Sequence, residues 1–190
     1  MIALIQRVSS ASVVIDQNEV CSIDMGLLVL LGIKAHDSAA VTQKLCDKII
    51  SLRVFDDSAG NMNLDVQSVG GSVLVVPNFT LAADTSRGNR PGFSAAMSPN
   101  KAEPLFEFFI KKLRAIYPNV EQGVFGADMQ VHLINDGPIT ISFETKNPLY
   151  DCEKQIEIFK GQSHGCKRNQ HMATFDSAFN CCFGVRNQKT

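Results

Sequence analysis

The sequence predicts an α+β fold, a curled, mostly antiparallel and barrel-like sheet carrying two main helices, and three observations predict it. The apolar runs Gly26–Gly32 and residues 73–76 are too short for buried helices and read as buried strands. Within residues 1–145 apolar residues recur at helical spacing in two stretches, from Val41 and from Ala102. The remaining apolar positions fall in short segments broken by turn residues, and many strands with few helices between them do not make the alternating units of a parallel α/β sheet.

Taken in order, residues 1–8 and 11–15 are β-rich runs separated by Ser9-Ser10, and Asp16-Gln17-Asn18 turns the chain into a strand over residues 20–23. Gly26–Gly32 is apolar throughout and bounded by glycine, as a central strand buried on both faces should be. Asp37-Ser38 offers an N-cap, and Val41, Leu45, Ile49 and Leu52 carry the first helix to Arg53. Residues 56–61 form a turn rich in Asp, Gly and Asn. Residues 73–76 make the second buried strand, which ends at Pro77 and delivers a polar loop of small, hydroxyl, amide and guanidinium groups as far as Phe93. Loops held on rigid strands are where binding and catalytic groups concentrate.

Ser98-Pro99 starts the second helix with a hydroxyl cap and a first-position proline. Ala102, Leu105, Phe106, Phe109, Leu113 and Ile116 share its apolar face until Tyr117-Pro118 stops it. Met129, Val131 and Leu133 alternate with Gln130, His132 and Ile134 in a strand, Asn135-Asp136-Gly137 signals a tight turn, and Pro138 opens a last strand over residues 139–143. Beyond Glu144 the chain turns polar, Asn/Gln-rich and nearly aperiodic. Two domains are therefore expected, 1–145 and a C-terminal extension over 146–190 that is partly helical or disordered.

At 190 residues and 45% apolar content, the chain is long enough for one domain with a real core. Residues 1–145 hold eleven Lys+Arg against fifteen Asp+Glu, whereas 146–190 hold seven against four, so the main domain is no general polyanion binder. No apolar run approaches the roughly 20 residues that span a bilayer. The first residues also lack a signal-peptide layout, so a cytoplasmic location without membrane partners is the expectation. Four of the six cysteines, Cys152, Cys166, Cys181 and Cys182, fall in the extension with His164 and His171, at spacings that match no common zinc site. No metal and no cofactor are expected.

Standard catalytic signatures are missing: there is no Gly-x-Ser-x-Gly elbow, no glycine-rich phosphate loop and no His-Glu-x-x-His. Mid-strand His132 is accounted for by solvation at least as well as by a general base. Thr80 follows the buried strand, yet a threonine nucleophile needs a base and none is close in sequence, so a hydrogen-bonding role suits it better. Arg87 and Arg90, flanking Gly88-Asn89, suit a phosphate or carboxylate, and equally suit plain solvation. Bonds preceding proline are cis in about 5–6% of folded cases, so Gly137-Pro138 taken alone favours trans, with a tight turn the setting in which cis occurs.

Six segments carry a family resemblance: Met1-Ile2-Ala3-Leu4-Ile5-Gln6-Arg7-Val8, Gly70-Gly71-Ser72-Val73-Leu74-Val75-Val76, Phe79-Thr80-Leu81-Ala82-Ala83-Asp84-Thr85, Arg87-Gly88 with Arg90-Pro91, Ala127-Asp128-Met129-Gln130-Val131, and Asn135-Asp136-Gly137-Pro138. On these, residues 1–145 closely resemble the bacterial D-aminoacyl-tRNA deacylases, also called D-tyrosyl-tRNA deacylases. The resemblance implies that family's fold and a homodimer with its active site at the subunit interface, hydrolysing the ester that joins a D-amino acid, or glycine, to the terminal adenosine of tRNA. It implies aminoacyl-tRNA as partner, and not DNA. Gly137-Pro138 matches the family's cis motif, inserted from the partner subunit, whose carbonyls hold the α-amino group and leave no room for an L side chain. Phe79 and Thr80 match the active-site strand end, Phe125 and Met129 positions that pocket the terminal adenine, and Ala102 a position whose backbone faces the aminoacyl group. The implied mechanism uses backbone N–H groups and the 2′-OH of the tRNA rather than a protein nucleophile.

Two departures stand out. Pro77-Asn78 replaces the family's usual Ser-Gln, removing a hydroxyl and a backbone N–H and shortening an amide by one methylene, and Gly126 replaces an alanine. The family usually ends near residue 145, so 146–190 has no counterpart in it. Weakened hydrolysis is expected; the alternatives are a tRNA-binding protein that has lost turnover through Pro77-Asn78, and a self-sufficient hydrolase using Thr80.

Overall fold

One strand organises the sheet: β1, Ile2–Ile15, pairs with β3 along its first half, with β2 along its second, and with β8 along nearly its whole length. The computed structural model describes residues 1–86 and 88–145, which form the compact unit Met1–Thr145. In chain order β1 is followed by β2 (Asn18–Ile23), β3 (Gly26–Gly32), α1 (Ala39–Ile50), β4 (Phe55–Asp56), β5 (Met62–Leu64), β6 (Ser72–Pro77), α2 (Pro99–Ile116), β7 (Val120–Gln122) and β8 (Gln130–Glu144). The main sheet runs β2-β1-β3-β6-β7, with β8 on the other edge of β1, while β4 and β5 form a separate two-stranded ribbon. Pairings of β1 and of the ribbon are antiparallel, whereas β3-β6 and β6-β7 are parallel. The sheet is thus mixed and curled, as an α+β fold with two main helices.

The curl has a local cause. Ala3 and Ile5 bury against the helices, but Val8, Ala11 and Val13 bury in a second cluster on the opposite side of the sheet. Register shifts in the β1-β8 ladder between Gln6 and Val8, and again between Val8 and Ser10, exchange the inward face. A one-residue slip does this because side chains alternate with period two, and such bulges also bend the strand. α1 and α2 cover the first cluster with Val41, Leu45, Ile49, Phe106, Phe109 and Leu113. Gly26, paired with Ser72 across the parallel ladder, fits only without a side chain, because a Cβ there would stand 1.9 Å from the Ser72 carbonyl oxygen.

Several expectations are corrected. Residues 1–8 and 11–15 are one strand, since Ser9-Ser10 sits at a bulge rather than a break. Asn135-Asp136-Gly137 likewise does not separate two strands, because both flanks pair with β1 and a hairpin would pair them with each other. The first helix ends at Ile50 instead of Arg53. The Asp37 carboxylate does not cap that helix: it accepts from the Lys34 backbone N–H at 2.6 Å and from the Met1 amine at 2.5 Å. The short strands β4, β5 and β7 are too brief for periodicity to register, and no expectation covers them. The extension 146–190, with its cysteines and histidines, lies outside the described residues, as does Arg87.

Candidate active site

The parallel strands β3 and β6 end together, with Leu31 opposite Pro77, and the Asn78 N–H adds one more rung by donating to the Leu31 carbonyl at 2.8 Å. Backbone donors alternate between neighbours along a strand: Asn78 serves β3, and the nitrogen of Pro77, which has no N–H, lies on the β7 side, where the ladder stops after the Gly123 N–H donates to the Val75 carbonyl at 2.9 Å. The chain then tightens into a 3-10 turn, Phe79–Ala82, with Asn78 as its N-cap.

Two clefts flank this strand end and share Pro77 and Asn78. The first, about 410 Å³, is walled by Phe79, Phe93 and Phe125, with Ser98, Pro99 and Ala102 contributed by the first turn of α2. The second, about 440 Å³, takes Thr80 and Met129 together with Gln6, Asp128, Val131 and Leu133. Phe79 and Thr80, adjacent in sequence, therefore serve different sides. A Cβ added at Gly123 would stand 2.9 Å from the Met129 sulfur and 3.5 Å from the Pro77 ring, which places Met129 and Pro77 around one point between the two clefts.

Among the described residues the first cleft contains no titratable side chain, and the second has only Asp128. His36 and His132 line neither. Burial pushes the Cys21 thiol up, and the Cys46 thiol up to about 12, so neither is an activated nucleophile. Among the described residues no three His, Cys, Asp or Glu side chains gather as a metal site. What the clefts offer chemically is backbone amides, the Asn78, Thr80, Ser98 and Gln6 side chains, the Asp128 carboxylate on the second side, and aromatic surface on the first.

Gly137 and Pro138, joined by a cis bond, are exposed and line neither cleft. They lie between Asn135, opposite Val8, and Thr140, opposite Gln6. Gly137 has φ +126°, where a side chain would collide with Ile139. The level of Arg7 on β1 matches Leu27 on β3, whereas Pro77 matches Leu31, so along the sheet the two sites stand roughly 13 Å apart at about 3.3 Å per residue. Buried Arg7 straps this turn down, donating from Nη1 to the Val54 carbonyl at 2.8 Å while its Nε stands 3.0 Å from the Asp136 carboxylate. Asn135 Oδ1 adds a bond from the Ile139 N–H at 2.9 Å.

Sequence reasoning gave no role to Phe93, whose ring meets Phe79 edge-on at 5.2 Å, nor to Arg7. The polar loop that ends at Phe93 closes on itself through the Asp84 and Gly92 backbones, and that closure returns Phe93 to Phe79.

The sequence model of the D-Tyr-tRNA(Tyr) deacylase family matches residues 4–144. A D-aminoacyl-tRNA deacylase of Shewanella baltica is 55% identical over 144 residues, 76% of this chain and 99% of that protein. One from Dichelobacter nodosus is 54% identical over 140 residues, 74% of this chain and 97% of that protein. A solved structure named c-Myc DNA unwinding element binding protein superposes with a TM-score of 0.74 at 38% identity, covering 77% of this chain and 100% of that one.

Proposed function

The chain belongs to the D-Tyr-tRNA(Tyr) deacylase family, and from that premise we propose that residues 1–145 hydrolyse the ester of D-aminoacyl-tRNA at the end of β6. The observation that carries this reading is a strand end opening into an aromatic-walled cleft without any titratable side chain among the described residues. The hydroxyl in that cleft, Ser98, is bonded to Asn100 Oδ1 with no base beside it, and such a cleft suits a reaction in which the enzyme supplies position and backbone dipoles.

In this reading the aminoacyl carbonyl lies over Asn78-Phe79 and accepts the Phe79 N–H, which has no acceptor among the described residues. Water attacks the carbonyl carbon, the bond to the 3′ oxygen breaks, and the proton passes to that oxygen with the help of the neighbouring 2′-OH. The products are free tRNA and the D-amino acid. Phe125 in the first cleft and Met129, beside Pro77 in the second, hold the terminal adenine from the two sides of the strand end by aromatic and apolar contact, and Ala102 borders the aminoacyl group. The Ala102 N–H already donates to the Ser98 carbonyl at 2.9 Å, and its carbonyl lies inside α2, where it accepts the N–H four residues on, which leaves the methyl to border the substrate.

Chiral selection requires a second copy. Gly137 and Pro138 stand clear of both clefts of their own chain, so in a homodimer Gly137 and Pro138 of the partner subunit complete the site and exclude an L side chain. Exposed Leu133 and Ile134, 37% and 63% accessible on the same strand, supply apolar surface for that contact. Glycyl-tRNA, with no side chain to exclude, is a second substrate on the same logic. Residues 146–190 are an appended extension to this deacylase domain. No helix of the described residues is long and apolar enough to cross a membrane, and with a tRNA substrate the cytoplasm is the proposed location.

Release of D-tyrosine from D-tyrosyl-tRNA, with L-tyrosyl-tRNA as the control, tests the reading. Thr80→Ala is expected to cost less than about tenfold in kcat, the scale of one hydrogen bond; abolished turnover would instead make Thr80 the nucleophile. Sedimentation should show a dimer, and a monomer that still discriminates D from L would overturn the cross-subunit arrangement.

A further inference from the structure

The backbone donors from Pro77 to Leu81 can be accounted for one by one. Pro77 has none, the Asn78 N–H goes to the Leu31 carbonyl, and the Leu81 N–H goes to the Asn78 carbonyl at 3.4 Å. The Thr80 N–H donates to Asn78 Oδ1 at 3.2 Å, and the Thr80 hydroxyl donates to the same oxygen at 2.5 Å. A single side chain therefore holds both hydrogen-bond donors of Thr80, and among the described residues only the Phe79 N–H of this stretch remains uncommitted.

We propose that Asn78 is a positioning residue that slows this site by withdrawing the Thr80 amide and hydroxyl from the substrate. The inference rests on the deacylase reading above. Asparagine suits the role because its amide oxygen reaches the backbone N–H two residues ahead, the bond that makes it a good N-cap. A glutamine, one methylene longer, is not among the favoured caps, and alanine has no acceptor at all. Either change frees the two Thr80 donors. An added N–H beside Phe79 would give the developing oxyanion a second donor, and such preorganised donors act on the chemical step rather than on ground-state binding.

The test compares the full-length wild type with Asn78→Gln and Asn78→Ala in three measurements: deacylation of D-tyrosyl-tRNA, hydrogen exchange of the Thr80 amide, and Tm. The proposal expects Thr80 exchange to accelerate in both variants and Tm to fall as the cap is lost. It expects kcat to rise about three- to tenfold, the value of one net hydrogen bond, with KM little changed. Asn78→Asp, which keeps an acceptor at the same reach, should leave the Thr80 amide protected. A purely structural cap would move kcat and Tm down together, and that result overturns the proposal. So does Thr80 exchange that is equal in wild type and Asn78→Ala. No D-tyrosine release from wild type or either variant overturns the deacylase reading and the rate claim with it, and the Thr80 exchange data tell that outcome apart from an Asn78 that never held Thr80.

Discussion

Asn78 and Asp84 make the same local bond with different consequences. Each turns its side-chain oxygen onto the backbone N–H two residues ahead, Thr80 in one case and Ser86, at 2.9 Å, in the other. At Asn78 the bond decides which donors a substrate can reach; at Asp84 it shapes the loop that carries Phe93 back to Phe79. The Ser86 hydroxyl and amide hold the Asp84 carboxyl below its ordinary value of 3.8. Because folding lowers this pKa, the unfolded chain binds the proton more readily, so the bond's contribution is present above pH 3.8 and is lost as pH falls through the lower folded value. The Ser86 amide is therefore expected to stay protected down to about pH 4 and to lose protection on further acidification, as a pH series of amide exchange will read. A Ser86 protection factor, the observed rate taken against the intrinsic rate at each pH, that stays unchanged on acidification would count against the bond. These residue-scale facts were only half legible in the sequence. The loop's Asn and Asp marked turns, but which N–H each one takes depends on backbone angles that the residue types leave open.

At the scale of elements, β1 and β8 were each read as two strands, and the reading failed for one physical reason. Both contain a polar interruption, Ser9-Ser10 and Asn135-Asp136-Gly137, and in a sequence a bulge and a turn use the same residues. Arg7 distinguishes them. Its guanidinium ties the Asp136 segment of β8 and the Val54 carbonyl before β4 to β1, so the interruption stays in the sheet. Arg7→Ala leaves the buried Val54 carbonyl unsatisfied and is expected to cost about 1–3 kcal/mol of stability, measured by urea unfolding. If Gly137-Pro138 of the partner subunit selects chirality, the same variant should also hydrolyse L-tyrosyl-tRNA faster relative to D-tyrosyl-tRNA than wild type does. A stability loss with unchanged selectivity would confine Arg7 to the fold. Both helices were legible, the first to within three residues at its end, because amphipathic spacing over three or more turns has few alternatives; Ala102, Phe106, Phe109 and Leu113 are buried as their spacing predicts, whereas Leu105 is half-buried and Ile116, in the last turn, is exposed.

For the whole molecule, the shared match to shorter relatives leads to a further expectation. The Shewanella protein is covered to 99% by 144 aligned residues, and a chain truncated after Thr145 is expected to fold and to deacylate D-tyrosyl-tRNA within about twofold of the full chain, since changes away from the core and site are usually worth under about 0.5 kcal/mol. A larger loss, in kcat or in tRNA affinity measured across salt concentrations, would give residues 146–190 a part in the reaction. The sequence by itself determined the α+β class, the two buried strands, both helices, the family, and the residues gathered at the strand end, because each of these rests on local periodicity or on contiguous motifs. Only the tertiary structure decided that Phe79 and Thr80 face different clefts, that Phe93 closes onto Phe79, that Arg7 holds the Gly137-Pro138 turn, and that Asn78 occupies both donors of Thr80. The first three depend on the curl of the sheet and on the closure of the loop, in which residues far apart in the chain meet at distances no spacing in the sequence encodes, and the last on backbone angles that the residue types leave open.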